Sequence, residues 1–353
     1  MSKLPTKVTS LDVARLAGVS QPTVSRVFSR GSMVRPAVRE KVEKAANELG
    51  YRPNTLARSL ITGRSRTIGV VVAYLDNPFY PEALERLSAS LNAQGYHISI
   101  FFAANLEEEV DPVVEKLLAQ QVDGIVLASV SMSNRLTDRL DEIGIPFVLF
   151  NRGQSGKVLA SVTAANYQGG AKAAEFLLAG GHRRFAHISG WQKSLNGRQR
   201  KAGFLDRLGE AGHNDVPCID GEFSREKAAE VTRTLFAGAE KPDAIFVGND
   251  HMAFSVLEVL RIELKRRIPD DISVIGYDDV QMAAWPIFDL TTLRQPANRM
   301  VEATTRMLLE IIEDRSAERR KIEIESDLII RGSARIPPGY NVAAHQASAS
   351  ATK

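Results

Sequence analysis

The feature that most restricts the fold is a long alternation between residues 66 and 333. Short runs rich in β-branched and aromatic residues, at 68–73, 97–102, 124–128, 147–150, 185–189, 244–247 and 273–276, take turns with amphipathic stretches of helical period, among them 81–94, 171–178, 198–208 and 252–264. Strand, helix and strand in regular succession is the pattern of parallel sheets, because each parallel connection must return along a face of the sheet and covers it with a helix. About 260 residues exceed one doubly wound sheet, so two α/β lobes are expected. With 44% apolar residues in 353, the chain can bury more than one core.

The residues ahead of this alternation differ in kind. Residues 8–51 show helical period in short pieces split by turn signals, with no strand pattern. Thr9 reads as the N-cap of a first helix and Asp12 completes a capping box, with Leu11, Val13, Ala14 and Leu16 as its buried side. Gly18 makes the turn. Ser20 reads as the cap of a second helix, residues 21–29, in which Pro22 falls in the first turn where its missing N–H costs nothing. A third helix, 36–49, lines up Val38, Val42, Ala45, Ala46 and Leu49 and stops at Gly50.

Charge divides the same way. Residues 1–66 hold thirteen Lys and Arg against four Asp and Glu, a net charge of +9, so the remaining chain carries −6 of the +3 total. A small basic module joined to a larger acidic one points to a polyanion partner for the first. Two short helices joined by an Ala-Gly-Val-Ser turn, the second cationic, form a helix-turn-helix, whose second helix fits the major groove of duplex DNA. Gln21, Pro22 and Arg26 are placed to reach base edges, and Thr23, Ser25 and the helix N-terminus suit phosphate. A plain three-helix bundle with a charged exterior is the alternative.

The run from Val8 to Phe28, VTSLDVARLAGVSQPTVSRVF, followed by ELGYRPN (48–54), ARSL (57–60), TIGV (67–70) and VIGYDD (274–279), resembles the lactose/galactose repressor family, LacI/GalR. The order and spacing of these motifs cover nearly the whole chain to Ser333. The resemblance implies an all-α helix-turn-helix head at 8–52, a hinge helix at 53–63, and a two-lobed α/β sensor at 66–333 of the periplasmic-binding-protein type I kind. The first lobe is expected at 66–163 plus 294–326, the second at 166–290, and a disordered tail at 334–353. The candidate DNA-binding set is Thr9, Ser20, Gln21, Pro22, Thr23, Ser25 and Arg26 in the head, with Asn54, Ala57 and Leu60 in the hinge. In the family the leucine at the Leu60 position is a wedge between base steps; a hinge-to-core contact is the alternative. A hinge this short is too short to hold a helix alone, so it is expected to order on DNA. Arg35 departs from the family, which has a Ser or Thr cap there.

For the sensor, the resemblance implies an effector between the lobes at the carboxyl ends of the strands. The candidates are Phe79, Tyr80, Asn151, Arg200, Phe223, Asn249, Asp278 and Gln295. As chemistry the set is coherent: amides and carboxylates pair with hydroxyls, a guanidinium forks onto oxygens, and aromatic faces cover a sugar ring. Taken singly, Arg200 also suits an interlobe ion pair and Asp278 a turn. Asn151 and the Ala165-Asn166 pair stand where the family often carries Asp, and losing those anions favours an acidic or phosphorylated sugar. Expected partners are therefore pseudo-palindromic double-stranded operator DNA, a sugar, sugar acid or sugar phosphate, and a second copy of the chain in a homodimer.

Two rival functions are an α/β enzyme and an exported sugar-binding protein. Against the enzyme, the sequence lacks G-x-G-x-x-G after a strand, G-x-x-x-x-G-K-[ST], G-x-S-x-G and H-E-x-x-H, and its six histidines are scattered. No catalytic residue, cofactor or metal site is expected. Against the exported protein, residues 1–9 contain no apolar signal core, and no later run spans a bilayer. With Cys218 the only cysteine, no intrachain disulfide can form, which fits a cytoplasmic location.

Overall fold

The computed structural model describes residues 8–28, 33–52, 63–73, 75–103, 107–128, 130, 134–153 and 159–342, in two compact units, Met1–Ser65 and Arg66–Lys353. The expected hinge contacts Asn54, Ala57 and Leu60 lie outside the described residues, as does the tail from 343.

The first unit is built from α1 (Ser10–Ala17), α2 (Gln21–Val27) and α3 (Pro36–Leu49). Asp12 secures the start of α1 by accepting from both the Thr9 N–H (3.0 Å) and the Thr9 hydroxyl (2.7 Å), which satisfies one of the four donors a helix start leaves unpaired. Gly18 and Gly50 end α1 and α3 in the left-handed region, at φ 67° and 64°, where glycine pays no side-chain penalty. Val13, Ala14, Val24, Val27, Val42, Ala45 and Ala46 form the core.

Two local expectations need correction. Leu11 and Leu16 are about half exposed, 51% and 48%. At 100° per residue the buried arc runs through Val13, Ala17 and Ala14, and the two leucines sit on its shoulders, roughly 60° beyond either edge. Ser20 occupies the N-cap of α2, but its hydroxyl pairs with that of Thr23 (2.9 Å) instead of capping a backbone N–H.

The second unit holds two six-stranded sheets. The first contains β1 (Thr67–Val72), β2 (His97–Phe102), β3 (Gly124–Ala128), β4 (Phe147–Phe150), β5 (Ser161–Ala164) and β11 (Lys321–Ile324), in the order β11-β5-β4-β3-β1-β2, all parallel. The second contains β6 (Phe185–Ser189), β7 (Cys218–Asp220), β8 (Ala244–Val247), β9 (Ser273–Asp278), β10 (Thr291–Arg294) and β12 (Asp327–Ile329), in the order β12-β10-β9-β8-β6-β7, with only β12 antiparallel. Each sheet reverses direction beside its first strand, the switch point at which such sheets leave a crevice beyond their carboxyl ends.

Helices cover both faces. In the first lobe, α4 (Phe79–Ala93) and α11 (Ala297–Glu313) lie on one face, and α5 (Glu107–Leu118) and α6 (Asn134–Ile143) on the other. The period of two shows in β1, whose Val71 joins the core beneath α5 while Ile68, Val70 and Val72 join the core beneath α4. In the second lobe, α7 (Asn166–Ala179) and α8 (Leu195–Glu210) back the sheet with Phe176, Leu177, Phe204 and Leu208. On its other side α9 (Arg225–Ala237) and α10 (Asp250–Glu258) contribute Val231, Phe254 and Leu257.

The chain passes between lobes three times, after β5, after β10 and after β11. This corrects the expected borders: β10 belongs to the second lobe's sheet, so that lobe does not end at 290, and the chain returns to it through β12. The strand escaped notice because β10 opens with two buried polar residues. Thr291 is satisfied by the Ser333 hydroxyl and the Arg331 carbonyl, and Thr292 by Asp250. The tail is corrected too, since residues 334–342 pack on the second lobe, with Ala334 buried and Tyr340 edge-on to Phe176 at 5.6 Å.

Candidate effector cavity and nucleic-acid interface

Between the carboxyl ends of the two sheets lies a cavity of about 340 Å³, within the range that small-molecule sites occupy. Its lining includes Tyr80, Asn151, Arg200, Phe223, Asn249, Asp278 and Gln295.

The second lobe supplies the deepest groups. Helices α7 and α8 approach so closely that a Cβ on Gly203 would lie 1.9 Å from the Tyr167 carbonyl and one on Gly170 would lie 2.2 Å from the Arg200 carbonyl. Only glycine allows this crossing, and it brings Arg200 against the sheet. The Arg200 guanidinium lies 3.5 Å from the centre of the Tyr277 ring and donates to Asn166 Oδ1 (2.8 Å) and the Gly248 carbonyl (2.7 Å). It stands 3.7 Å from Asp278 Oδ1. Asp278 ends β9 at φ 132°, a backbone conformation that costs energy for a side chain with a Cβ and is held by its surroundings.

Asp278 is the junction of the site. It accepts from Gln295 Nε2 at 2.6 Å and, across the cleft, from Asn77 Nδ2 of the first lobe at 3.0 Å. Beneath it, Asp250 accepts from the Thr292 hydroxyl (2.5 Å) and the Val280 N–H (3.0 Å). Burial, and then the negative charge of Asp278, push Asp250 up to about 8. Burial also raises Asp278, opposed by Arg200. Two carboxyls out of water do not both ionise at neutral pH.

The first lobe supplies the opposite wall. Asn77 accepts from the Phe79 N–H (3.0 Å) at the start of α4, and Tyr80 then turns its hydroxyl to Asn151 Nδ2 (3.1 Å). Asn151 follows β4 at φ 61°, and its backbone carbonyl accepts from Asn196 Nδ2 of the second lobe. Phe79 is a correction. Adjacent helical residues point about 100° apart, and the turn that aims Tyr80 at the cavity sends Phe79 into the core, where it stacks on Phe150 at 6.4 Å.

The remaining lining comes from helix starts. Asn249 caps α10 by accepting from the Met252 N–H (2.9 Å), which leaves its amino group for the cavity. Phe223 lies across Gly190, where a Cβ would meet its ring at 2.1 Å. Asn151, Asn196 and Gln295 each keep a buried side-chain oxygen without a protein donor, an arrangement that suits hydroxyl donors on a bound molecule. Sequence reasoning missed Asn77, Arg152, Asn196 and His251 as lining residues. The available signal was positional, since each follows a strand or opens the next helix.

In the first unit, Gln21, Pro22, Ser25 and Arg26 share an exposed face of α2, opposite Val24 and Val27 in the core. Thr9 and Ser20 are exposed and Thr23 is half-buried. Gln21 donates to the Ser10 hydroxyl at 3.1 Å, tying the start of α2 to α1. No acidic residue occupies the first turn of α2, so no side-chain charge offsets the positive end of its dipole there.

An exposed helical face in a basic head and a lobe-spanning cavity in the second unit define a ligand-responsive DNA-binding protein. Residues 9–54 match the family of bacterial regulatory proteins, lacI family, and 174–334 match the periplasmic binding protein-like domain. The HTH-type transcriptional repressor PurR of Vibrio parahaemolyticus is 33% identical over 325 residues, covering 91% of this chain and 97% of that protein. Among solved structures, a transcriptional regulator CelR–cellobiose complex is 32% identical, with a TM-score of 0.70, over 93% of this chain and 100% of that one. The Lac repressor dimer bound to operator and the anti-inducer ONPF is 26% identical, with a TM-score of 0.83, over 93% and 99%. The chain belongs to the LacI family. It is a DNA-binding transcriptional regulator with a small-molecule effector, and not an enzyme. Among the described residues, no helix is long and apolar enough to cross a membrane, and no group of three or more His, Cys, Asp and Glu could hold a metal ion.

Proposed function

We propose that the chain is a cytoplasmic repressor that binds a pseudo-palindromic operator as a homodimer and is controlled by a carbohydrate effector in the interlobe cavity. The observation that carries this reading is the cavity itself, bridged by the Asn77–Asp278 and Asn196–Asn151 hydrogen bonds and lined by amides with oxygens awaiting donors. A polyhydroxylated ligand answers those oxygens and draws on both lobes at once, so binding shifts the balance between lobe arrangements. The cellobiose bound to the related CelR and the dimeric state of the related Lac repressor support the carbohydrate and the dimer.

Gln21, Pro22 and Arg26 read base edges in this proposal, Thr9, Ser20, Thr23 and Ser25 fix the head on the backbone, and Asn54, Ala57 and Leu60 engage the minor groove. Ligand and operator then change each other's affinity by the same factor. Fluorescence anisotropy of the full chain on DNA upstream of its own gene, titrated with a sugar and sugar-acid library, tests this. A concentration-dependent change in operator affinity is expected. Binding no stronger than to random duplex, whatever the sugar, refutes the reading.

A further inference from the structure

The exposed face of α2 carries one hydrogen bond that caps neither helix. Gln21 donates from its side-chain amide nitrogen to the hydroxyl of Ser10, the first residue of α1, at 3.1 Å. Both ends of that bond are braced. Ser10 follows Thr9, whose N–H and hydroxyl are held by Asp12, and α1 and α2 share the core formed by Val13, Ala14, Val24 and Val27. Pro22 follows Gln21, and its ring fixes the backbone φ at the adjoining position.

A primary amide has two N–H donors and one oxygen that accepts. With one N–H given to Ser10, Gln21 keeps one donor and its oxygen, and among the described residues neither has a partner. That remainder complements adenine in the major groove, where N7 accepts and N6 donates. Guanine presents two acceptors, N7 and O6, and answering both takes the two N–H groups together. An amide without a brace turns to serve either purine. One held by Ser10 has a single N–H to offer.

We propose that Ser10 is a positioning residue for DNA recognition, and that by holding the Gln21 amide it makes Gln21 select adenine over guanine in each half-site. The inference rests on the reading of α2 as the helix that enters the major groove. Ser10 acts through Gln21 and touches no base in this account. Fixing a long side chain before the DNA arrives also lowers the ordering cost of binding. The hydroxyl is the working group, so threonine can replace serine.

Selection of the full chain against a randomised duplex library, followed by competition anisotropy on single-base-pair variants of the enriched duplex, tests it. Gln21→Ala locates the base pair that Gln21 faces, as the one in each half-site whose preference it relaxes. The expected pair is A·T, with wild type favouring adenine over guanine by about 10-fold or more. Ser10→Ala lowers that ratio by about 3- to 10-fold, the worth of one hydrogen bond, and leaves the other positions and the urea midpoint unchanged. Ser10→Thr restores the ratio. Gln21→Glu, with acceptors only, moves the preference to cytosine, whose N4 donates. Guanine at that pair, a ratio that survives Ser10→Ala, or a Ser10→Ala variant weakened equally on every duplex overturns the inference and leaves the DNA-binding reading standing. If wild type enriches no sequence from the library, that reading falls and this one with it.

Discussion

The first lobe brings Asn77, Tyr80, Asn151 and Arg152 to the cavity from loops and a helix start at the end of its sheet, whereas Arg200, Asn249 and Asp278 of the second lobe are each tied into that lobe's interior. The sheets share one strand order, so topology does not explain the contrast. Polar burial does. The second lobe also encloses His187, stacked on Phe246 at 4.8 Å and hydrogen-bonded to its carbonyl at 2.8 Å, and Asp250. One wall is thus an anchor whose cavity groups are hydrogen-bonded into their own lobe, and the other is a cover built from loops and a helix start.

The sharpest way to break that contrast is Arg200→Met. It leaves Asp278 and the acceptors of Asn166 and Gly248 without their cation, so stability should drop by about 3–5 kcal/mol along with effector binding; a urea midpoint close to wild type would refute the anchor. Next is the acid response. Burial lowers the pKa of His187 from 6.5 to about 4, so the unfolded chain takes up this proton first as pH falls. The contribution is intact above 6.5 and is lost by pH 4, a change of roughly 3 kcal/mol. Asp250 slopes the other way, so the measurement is a difference: the stability of His187→Phe relative to wild type should rise by that amount between pH 7 and 4.

Arg26→Ala tests the head and leaves both lobes untouched. It should cost about 1–3 kcal/mol of discrimination between operator and a single-base variant, read by competition anisotropy, with the urea midpoint unchanged. The smallest effect belongs to the cover. Tyr80→Phe removes one hydrogen bond to Asn151 and should weaken effector binding with about 1 kcal/mol or less of stability. A larger loss of stability than from Arg200→Met would reverse the assignment of anchor and cover.

Much of the fold was legible because local signals agreed. The capping residues Thr9 and Asp12, the stops at Gly18 and Gly50, and the apolar runs of β1, β3, β4, β6, β8 and β9 each point to one structure. What was not legible depended on long-range partners. Thr291 and Thr292 carry no apolar strand signal, and only Ser333 and Asp250, distant in sequence, satisfy them inside the sheet. Leu11 and Leu16 look like core residues because periodicity gives the arc of a helix and not its width. In the cavity, seven of the eight expected residues line one space, but choosing between Phe79 and Tyr80 required the helix phase that Asn77 sets through its bond to the Phe79 N–H. Arg152 offered only its position after β4, which places it at the cavity without saying what it does there.

The three passages between the lobes also bear on how the protein is made. The first sheet receives its last strand at Lys321–Ile324 and the second at Asp327–Ile329. A ribosome that has reached residue 290 has therefore made parts of two sheets and the whole of neither, and both receive their last strands within a few residues of each other.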